Sequence, residues 1–343
     1  MFVRTTRQET STVSPLRRKR VATGIALLLG LSLTACSSAT GDDGSGINSS
    51  TNADLQTVKV GSIPTLGLGL LKVGEQQGFF ADEGLQLDIT PVDSGPTVIT
   101  GLVAGQYDVA YTAYAPPLLA IAGGQDLRLV YNLGGLGPKG TNGAIVVAKD
   151  SAITSWKDLA GAKLGINAPR SVLVLWAQAA IAADGGDASG LELTPLPFNQ
   201  IADNVASGKL DAGFLVEPYL TQALAKQGDK LRSLGDPAAA TFAEGSPGAG
   251  VITSASTAEN NAELITKFTA AMDKTVAYGN EHLDEVRTAG ADLVGLSSED
   301  AEKIYLGSID PQINAADFEP LVTAMKKFGW VTSDIDLGTF VNQ

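Results

Sequence analysis

The chain has 343 residues, 44% of them hydrophobic and 18% charged, which suits a folded protein of about two domains. Six of the 24 Lys and Arg and one of the 37 Asp and Glu precede Cys36, so the rest of the chain sets 18 basic against 36 acidic side chains. That balance argues against a nucleic-acid partner, whose binding rests on neutralising phosphates. A single His and a single Cys argue equally against zinc clusters and His-paired nucleophiles, so no cofactor, metal or catalytic group is expected.

The chain opens with a basic run, Arg17–Arg20, followed by Val21–Ala35, which is apolar or small throughout. This is the order of a secretory signal, and it is shorter than the ~20 apolar residues of a membrane-spanning helix. Leu33-Thr34-Ala35-Cys36 resembles the lipobox of bacterial lipoproteins. The resemblance implies cleavage before Cys36 and a lipid on its sulfur. The next nineteen residues, SSATGDDGSGINSSTNADL, offer almost nothing to bury and read as a flexible tether. The folded body is expected from Gln56, lipid-anchored on the outer, extracytoplasmic face of the cell membrane.

From Val58 the pattern predicts a strand (VKVGSI), a helix (TLGLGLLKVGEQQ), a strand (LQLDITPV), a short helix (PTVITGLVAG) and a strand (YDVAYTA). From Lys163 the same order returns as KLGIN, SVLVLWAQAAIAA, LELTPLPF, IADNVAS and KLDAGFLV. Two phrases recur with it: GQYDVAY at Gly105–Tyr111 against GKLDAGF at Gly208–Phe214, and KVG at Lys59–Gly61 against KLG at Lys163–Gly165. Both echoes fall at equivalent places in two α/β lobes. Between the lobes, Leu127–Gly134 and Asn142–Asp150 read as strands, and Gly248–Ala255 reads as a later return crossing. Gly135–Gly140 fits GxGxxG but leads into a strand, whereas a dinucleotide site needs it to open a helix, so it reads as a crossover loop. Three helical segments, 262–286, 297–306 and 315–329, complete the chain, with His282 a solvated side chain in the first.

GFFADEGLQLDI, AGQYDVAYTAYAPPLLA, ITSWKDLAGAKLGIN and SGKLDAGFLVEPY together resemble solute-binding proteins of the nitrate/sulfonate/taurine class, which deliver ligands to ABC importers. The resemblance implies an α/β, two-lobed type II periplasmic-binding fold, each lobe a mostly parallel sheet flanked by helices, with a two-strand hinge. It also implies a permease and its ATPase as partners, a small ligand of sulfonate, nitrate or taurine type, and a monomer. The expected organisation is a signal peptide over 1–35, a tether over 36–55, a first lobe over 56–134, a second over 135–250, and 251–343 completing the first lobe with C-terminal helices. Two other readings stay open: a biosynthetic enzyme on the same fold, of thiamine or menaquinone type, and a sensory lipoprotein that feeds no transporter.

In open α/β sheets ligands bind beyond the carboxyl ends of the strands. Loops in that position offer Ser62 and Thr65, Ser94 and Gly95, Thr112 and Tyr114, and Asn167, Arg170 and Ser171. Several open helices, whose N–H groups and partial positive charge favour an anion. Arg170 could fork onto a carboxylate, sulfonate or phosphate. Glu217 suits a ligand amine or a salt bridge across the cleft, while Trp176 reads as core.

Overall fold

A computed structural model describes residues 55–137 and 143–341. The signal, Cys36, the tether up to residue 54 and the end of the GxGxxG run lie outside the described residues.

The first lobe begins with β1 (Gln56–Ser62), where Val58 and Val60 point into the core. There follow α1 (Leu66–Gln76), the single turn α2 (Phe79–Asp82), β2 (Leu85–Pro91), α3 (Gly95–Val103), β3 (Val109–Ala113), α4 (Ala115–Ala122) and β4 (Leu127–Asn132). The chain then crosses into β5 (Gly143–Ala148), β6 (Lys163–Ile166), α5 (Val172–Ala183), β7 (Glu192–Pro195), α6 (Phe198–Ala206), β8 (Ala212–Val216), α7 (Tyr219–Gln227) and β9 (Leu231–Gly235). It returns through β10 (Ala249–Ser254) and finishes with α8 (Ala255–Asn260), α9 (Ala262–Glu281), α10 (Leu283–Asp292), α11 (Ser298–Ala301), α12 (Glu319–Lys327) and α13 (Leu337–Val341).

These strands make two five-stranded mixed sheets, β2-β1-β3-β10-β4 and β7-β6-β8-β5-β9. In each, four strands point one way and one runs against them: β10 in the first, β5 in the second. The reversed strand is the one that has just arrived from the other lobe, so the two crossings and the two reversals are a single feature. Ala249 and Gly250 already pair with β3, so the first sheet resumes slightly before the residue 251 expected from sequence.

The two echoes in the sequence meet in space. The Asp108 carboxylate accepts the Lys59 N–H at 2.8 Å, and the Asp211 carboxylate accepts the Lys163 N–H at 2.8 Å. In each lobe the aspartate thus fastens the start of the third strand to the first strand, at mid-length in β1 and at the start of β6. The glycine three residues before it, Gly105 at φ 71° and Gly208 at φ 73°, ends the preceding helix in a left-handed conformation that other residues resist.

One face of the first sheet packs on α3 and α4, and the other, through Val58, Val60, Tyr111 and Val251, packs on α1 and α9. The sequence expected one helix over 262–286, but the chain breaks at His282 (φ −128°, ψ 50°), whose ring stacks on Tyr278 with centroids 3.9 Å apart. Beyond α11, no α-helix is described before α12, so the expected helix over 297–306 is a single turn. α7 and β9 were not anticipated. The C-terminal segment packs on both lobes, with Phe318 edge-on to Tyr114 at 4.8 Å and Trp330 donating its indole N–H to Gln178 of α5 at 3.0 Å. None of the described helices is long and apolar enough to cross a membrane.

Candidate functional site

A cavity of about 140 Å³ lies between the sheets, at the carboxyl ends of β1, β3, β6 and β8. The first lobe supplies Thr65, Gly95, Tyr111 and Thr112, and the second supplies Asn167, Ser171, Trp176 and Glu217. The crossings supply Gly134, Gly135, Gly248 and Ala249, and α10 with the chain beyond α11 adds Val286, Leu306 and Ile309. Two contacts draw the lobes together. The Asn167 amide donates to the Asp93 carbonyl at 3.3 Å, and the Gln222 amide of α7 donates to the Val294 carbonyl.

Several polar groups at the cavity are buried without a partner. They are the hydroxyls of Thr112 and Ser171 and the side-chain carbonyl of Asn167. Thr112 is fully buried and Ser171 is 4% exposed, and native proteins seldom leave such atoms unpaired. Asn167 spends its amide N–H on Asp93, which fixes the free atom as the acceptor. The start of α3 approaches β3 so closely that only glycine fits at Gly95, since a Cβ there would sit 2.6 Å from the Thr112 hydroxyl and 2.8 Å from Pro116.

Tyr111 reaches the first turn of α1, where its hydroxyl accepts from Thr65 Oγ1 at 3.3 Å and from the Gly67 N–H. Burial pushes its pKa up, so it stays a neutral phenol. Glu217 is 7% exposed, and its two carboxyl oxygens accept the Thr221 N–H at 3.1 Å and hydroxyl at 2.9 Å. Burial raises its pKa, and the Thr221 hydrogen bonds oppose the rise.

Six of the ten residues singled out from the sequence therefore meet at the cavity: Thr65, Gly95, Thr112, Asn167, Ser171 and Glu217. The other four do not. Ser62 is fully buried and donates to the neighbouring Ile63 carbonyl. Ser94 caps α3, accepting the Thr97 N–H at 3.4 Å and sharing a 2.8 Å hydroxyl contact with Thr97. Tyr114 faces away, fully buried, and donates to Asn132 at 2.6 Å. Arg170 is exposed and lies over Trp330 at 5.5 Å, because the turn that returns the Ser171 N–H to the Ala168 carbonyl sends it outward to the C-terminal segment. Tyr111, absent from the sequence list, could have been found by its place at the carboxyl end of β3, beside Thr112. Trp176, read as core, is buried and also forms cavity wall.

The family described as NMT1/THI5 like matches residues 69–286. No curated protein matches the chain. Among solved structures, the periplasmic aliphatic sulphonate binding protein SsuA of Escherichia coli is similar at 22% identity and a TM-score of 0.64, with 82% of this chain and 96% of that one covered. The alkanesulfonate-binding protein SsuA of Xanthomonas axonopodis pv. citri gives 18% identity and a TM-score of 0.67 over 82% and 96% of the two chains. The periplasmic nitrate-binding protein NrtA of Synechocystis PCC 6803 gives 15% identity and a TM-score of 0.65 over 83% and 84%.

Proposed function

This chain belongs to the NMT1/THI5-like family, and we propose that it is the solute-binding component of an ABC importer, capturing a small molecule between its lobes without transforming it. The observation that carries the reading is the cavity itself, lined from both lobes and the crossings, with unpartnered Thr112, Asn167 and Ser171 atoms where a ligand would satisfy them. Solved neighbours of the same fold are named as periplasmic binding proteins for sulfonates and nitrate, which supports capture and delivery. Among the described residues no cluster of His, Cys, Asp and Glu could hold a metal, and the cavity's only carboxylate is Glu217.

A thermal-shift screen of the full-length chain in detergent, against sulfonates, nitrate, taurine, pyrimidines, amines and small carboxylates, tests the reading. One class should raise the melting temperature and be recovered chemically unchanged. At ~100 times its Kd a ligand adds ~2.7 kcal/mol of stability. A stabilising compound that is converted would favour an enzyme, and no stabilisation by any class would sink the receptor reading.

We place the protein on the extracytoplasmic face, held by lipid at Cys36, and delivering to a permease and its ATPase. The leader and the LTAC stretch support this. Cys36→Ala should abolish incorporation of labelled fatty acid and leave the precursor unprocessed; normal labelling would refute the anchor.

A further inference from the structure

We propose that the cavity takes an organic ligand bearing N–H donors, with a protonated amine or amidine against Glu217 and Asn167 and an apolar body against Trp176 and Tyr111, rather than a bare oxyanion. The inference rests on the receptor reading above and deepens it.

The described lining contains no Lys, Arg or His; its one formal charge is the carboxylate of Glu217. Arg170, the cation expected to meet an anion, is spent on Trp330 outside the cavity. The second lobe's polar side chains here are chiefly acceptors. The Asn167 carbonyl is unpartnered, and each Glu217 oxygen, already holding one Thr221 donor, retains a lone pair. Nitrate or a deprotonated sulfonate has no hydrogen to offer them.

The convergence of helix starts argues for an anion, but much of its donor capacity is gone. Pro96, Pro116 and Pro117 remove N–H groups from the first turns of α3 and α4. The Gly67 N–H of α1 goes to Tyr111, the Thr97 N–H of α3 to Ser94, and the Thr221 N–H of α7 to Glu217. What remains for a ligand is the pair of hydroxyls at Thr112 and Ser171, which can donate or accept, and the first N–H groups of α5 at Val172 and Leu173, where no side chain caps the helix. Size points the same way, since a four-atom oxyanion would leave most of the apolar wall unfilled. From Cys36 onward acidic residues outnumber basic ones by 36 to 18, a net charge that favours the approach of cations over anions.

The test uses two probes of one shape and opposite charge, benzamidine and benzenesulfonate. Each is titrated to about 10 mM into the full-length chain in detergent, which detects Kd values into the millimolar range. Tryptophan fluorescence and melting temperature are read together, with Trp176→Phe locating the fluorescence change. Benzamidine should bind saturably and benzenesulfonate should not. Glu217→Gln should weaken benzamidine at least tenfold while keeping the fold's melting temperature within a few degrees of wild type. If that variant does not fold, the wild-type preference alone decides.

Tighter binding of benzenesulfonate would overturn the inference and leave the receptor reading standing. Equal affinity of wild type and Glu217→Gln for benzamidine would overturn it by removing the acidic contact. Failure of both probes would also overturn it, and the broader solute screen would then judge the receptor reading independently.

Discussion

Ser94 and Ser171 occupy matching positions in the two lobes, each directly before a helix, yet their chemistry differs. Ser94 is a working cap bonded to Thr97, whereas the Ser171 hydroxyl makes no cap bond and stands unpartnered at the cavity. Ser94→Ala should therefore cost about 1 kcal/mol of stability, a drop of roughly 1–2 °C in a body of this size, with little effect on ligand affinity. Ser171→Ala should do the reverse, leaving the ligand-free melting temperature in place and weakening binding. Thermal melts with and without ligand separate the two; equal behaviour would mean that both serines are caps. A second residue-scale expectation concerns Asp236, whose carboxyl burial pushes up to about 7 against two N–H bonds from Ala238 and Ala239. The unfolded carboxyl ionises near 3.8, so as pH rises from there the folded state must follow against burial. Its stabilising contribution is complete below that value and is lost as pH climbs through about 7. Asp236→Asn should remove this part of the pH dependence. Melting curves across the range should show wild type losing ground to the variant as pH rises; parallel curves would place Asp236 outside the effect.

At the scale of elements, the paired clamps make a symmetric prediction. Asp108→Ala and Asp211→Ala each delete an acceptor bonded to the first residue of the KVG and KLG phrases. Each should lower stability by about 1–2 kcal/mol, and their effects should add, because the sites lie in different sheets. Urea titrations of the two single variants and the double variant check both claims. This clamp also explains which parts of the fold were legible. The two α/β runs could be read because buried Val and Ile alternate with helices closed by glycine, and because each third strand announces itself with the same phrase. α7 and β9 were not readable: α7 buries only Thr221 and Ala223, and edge strand β9 has only Leu231 fully buried, so neither writes an apolar period. The break at His282 was equally silent, since apolar spacing continues through it. In the site, strand ends located Thr112, Asn167, Ser171 and Glu217, but direction was not readable. Arg170 and Ser171 are neighbours, and the tight turn from Ala168 to Ser171, which sends Arg170 outward to Trp330, is not written in the residue types.

For the whole molecule, the C-terminal segment is a third connection beside the two crossings. Phe318 holds it to Tyr114 in the first lobe, while Trp330 holds it to Gln178 and Arg170 in the second. Trp330→Ala should cost about 3–5 kcal/mol, the range for deleting a buried aromatic, and should also free the lobes to separate. Small-angle scattering of the ligand-free variant should give a larger radius of gyration than wild type. An unchanged radius with lowered stability would make Trp330 a packing residue with no part in holding the lobes together.

The exchanged strands impose an order of assembly. β4 has only β10 beside it in its sheet, and β10 begins at Ala249, after the entire second lobe. The second sheet owns all five of its strands once Gly235 has appeared. As the chain emerges from amino to carboxyl end, the lobe begun first is therefore finished last. At about 5–20 residues per second, the stretch separating β4 from β10 takes on the order of 6–24 seconds to make. Throughout that interval β3 and β4 present unpaired edges, the situation in which strands from neighbouring chains can join. A nascent chain of this kind depends on being kept apart from its copies until residue 254 is out, and slowing synthesis within the second lobe lengthens the exposure of the first.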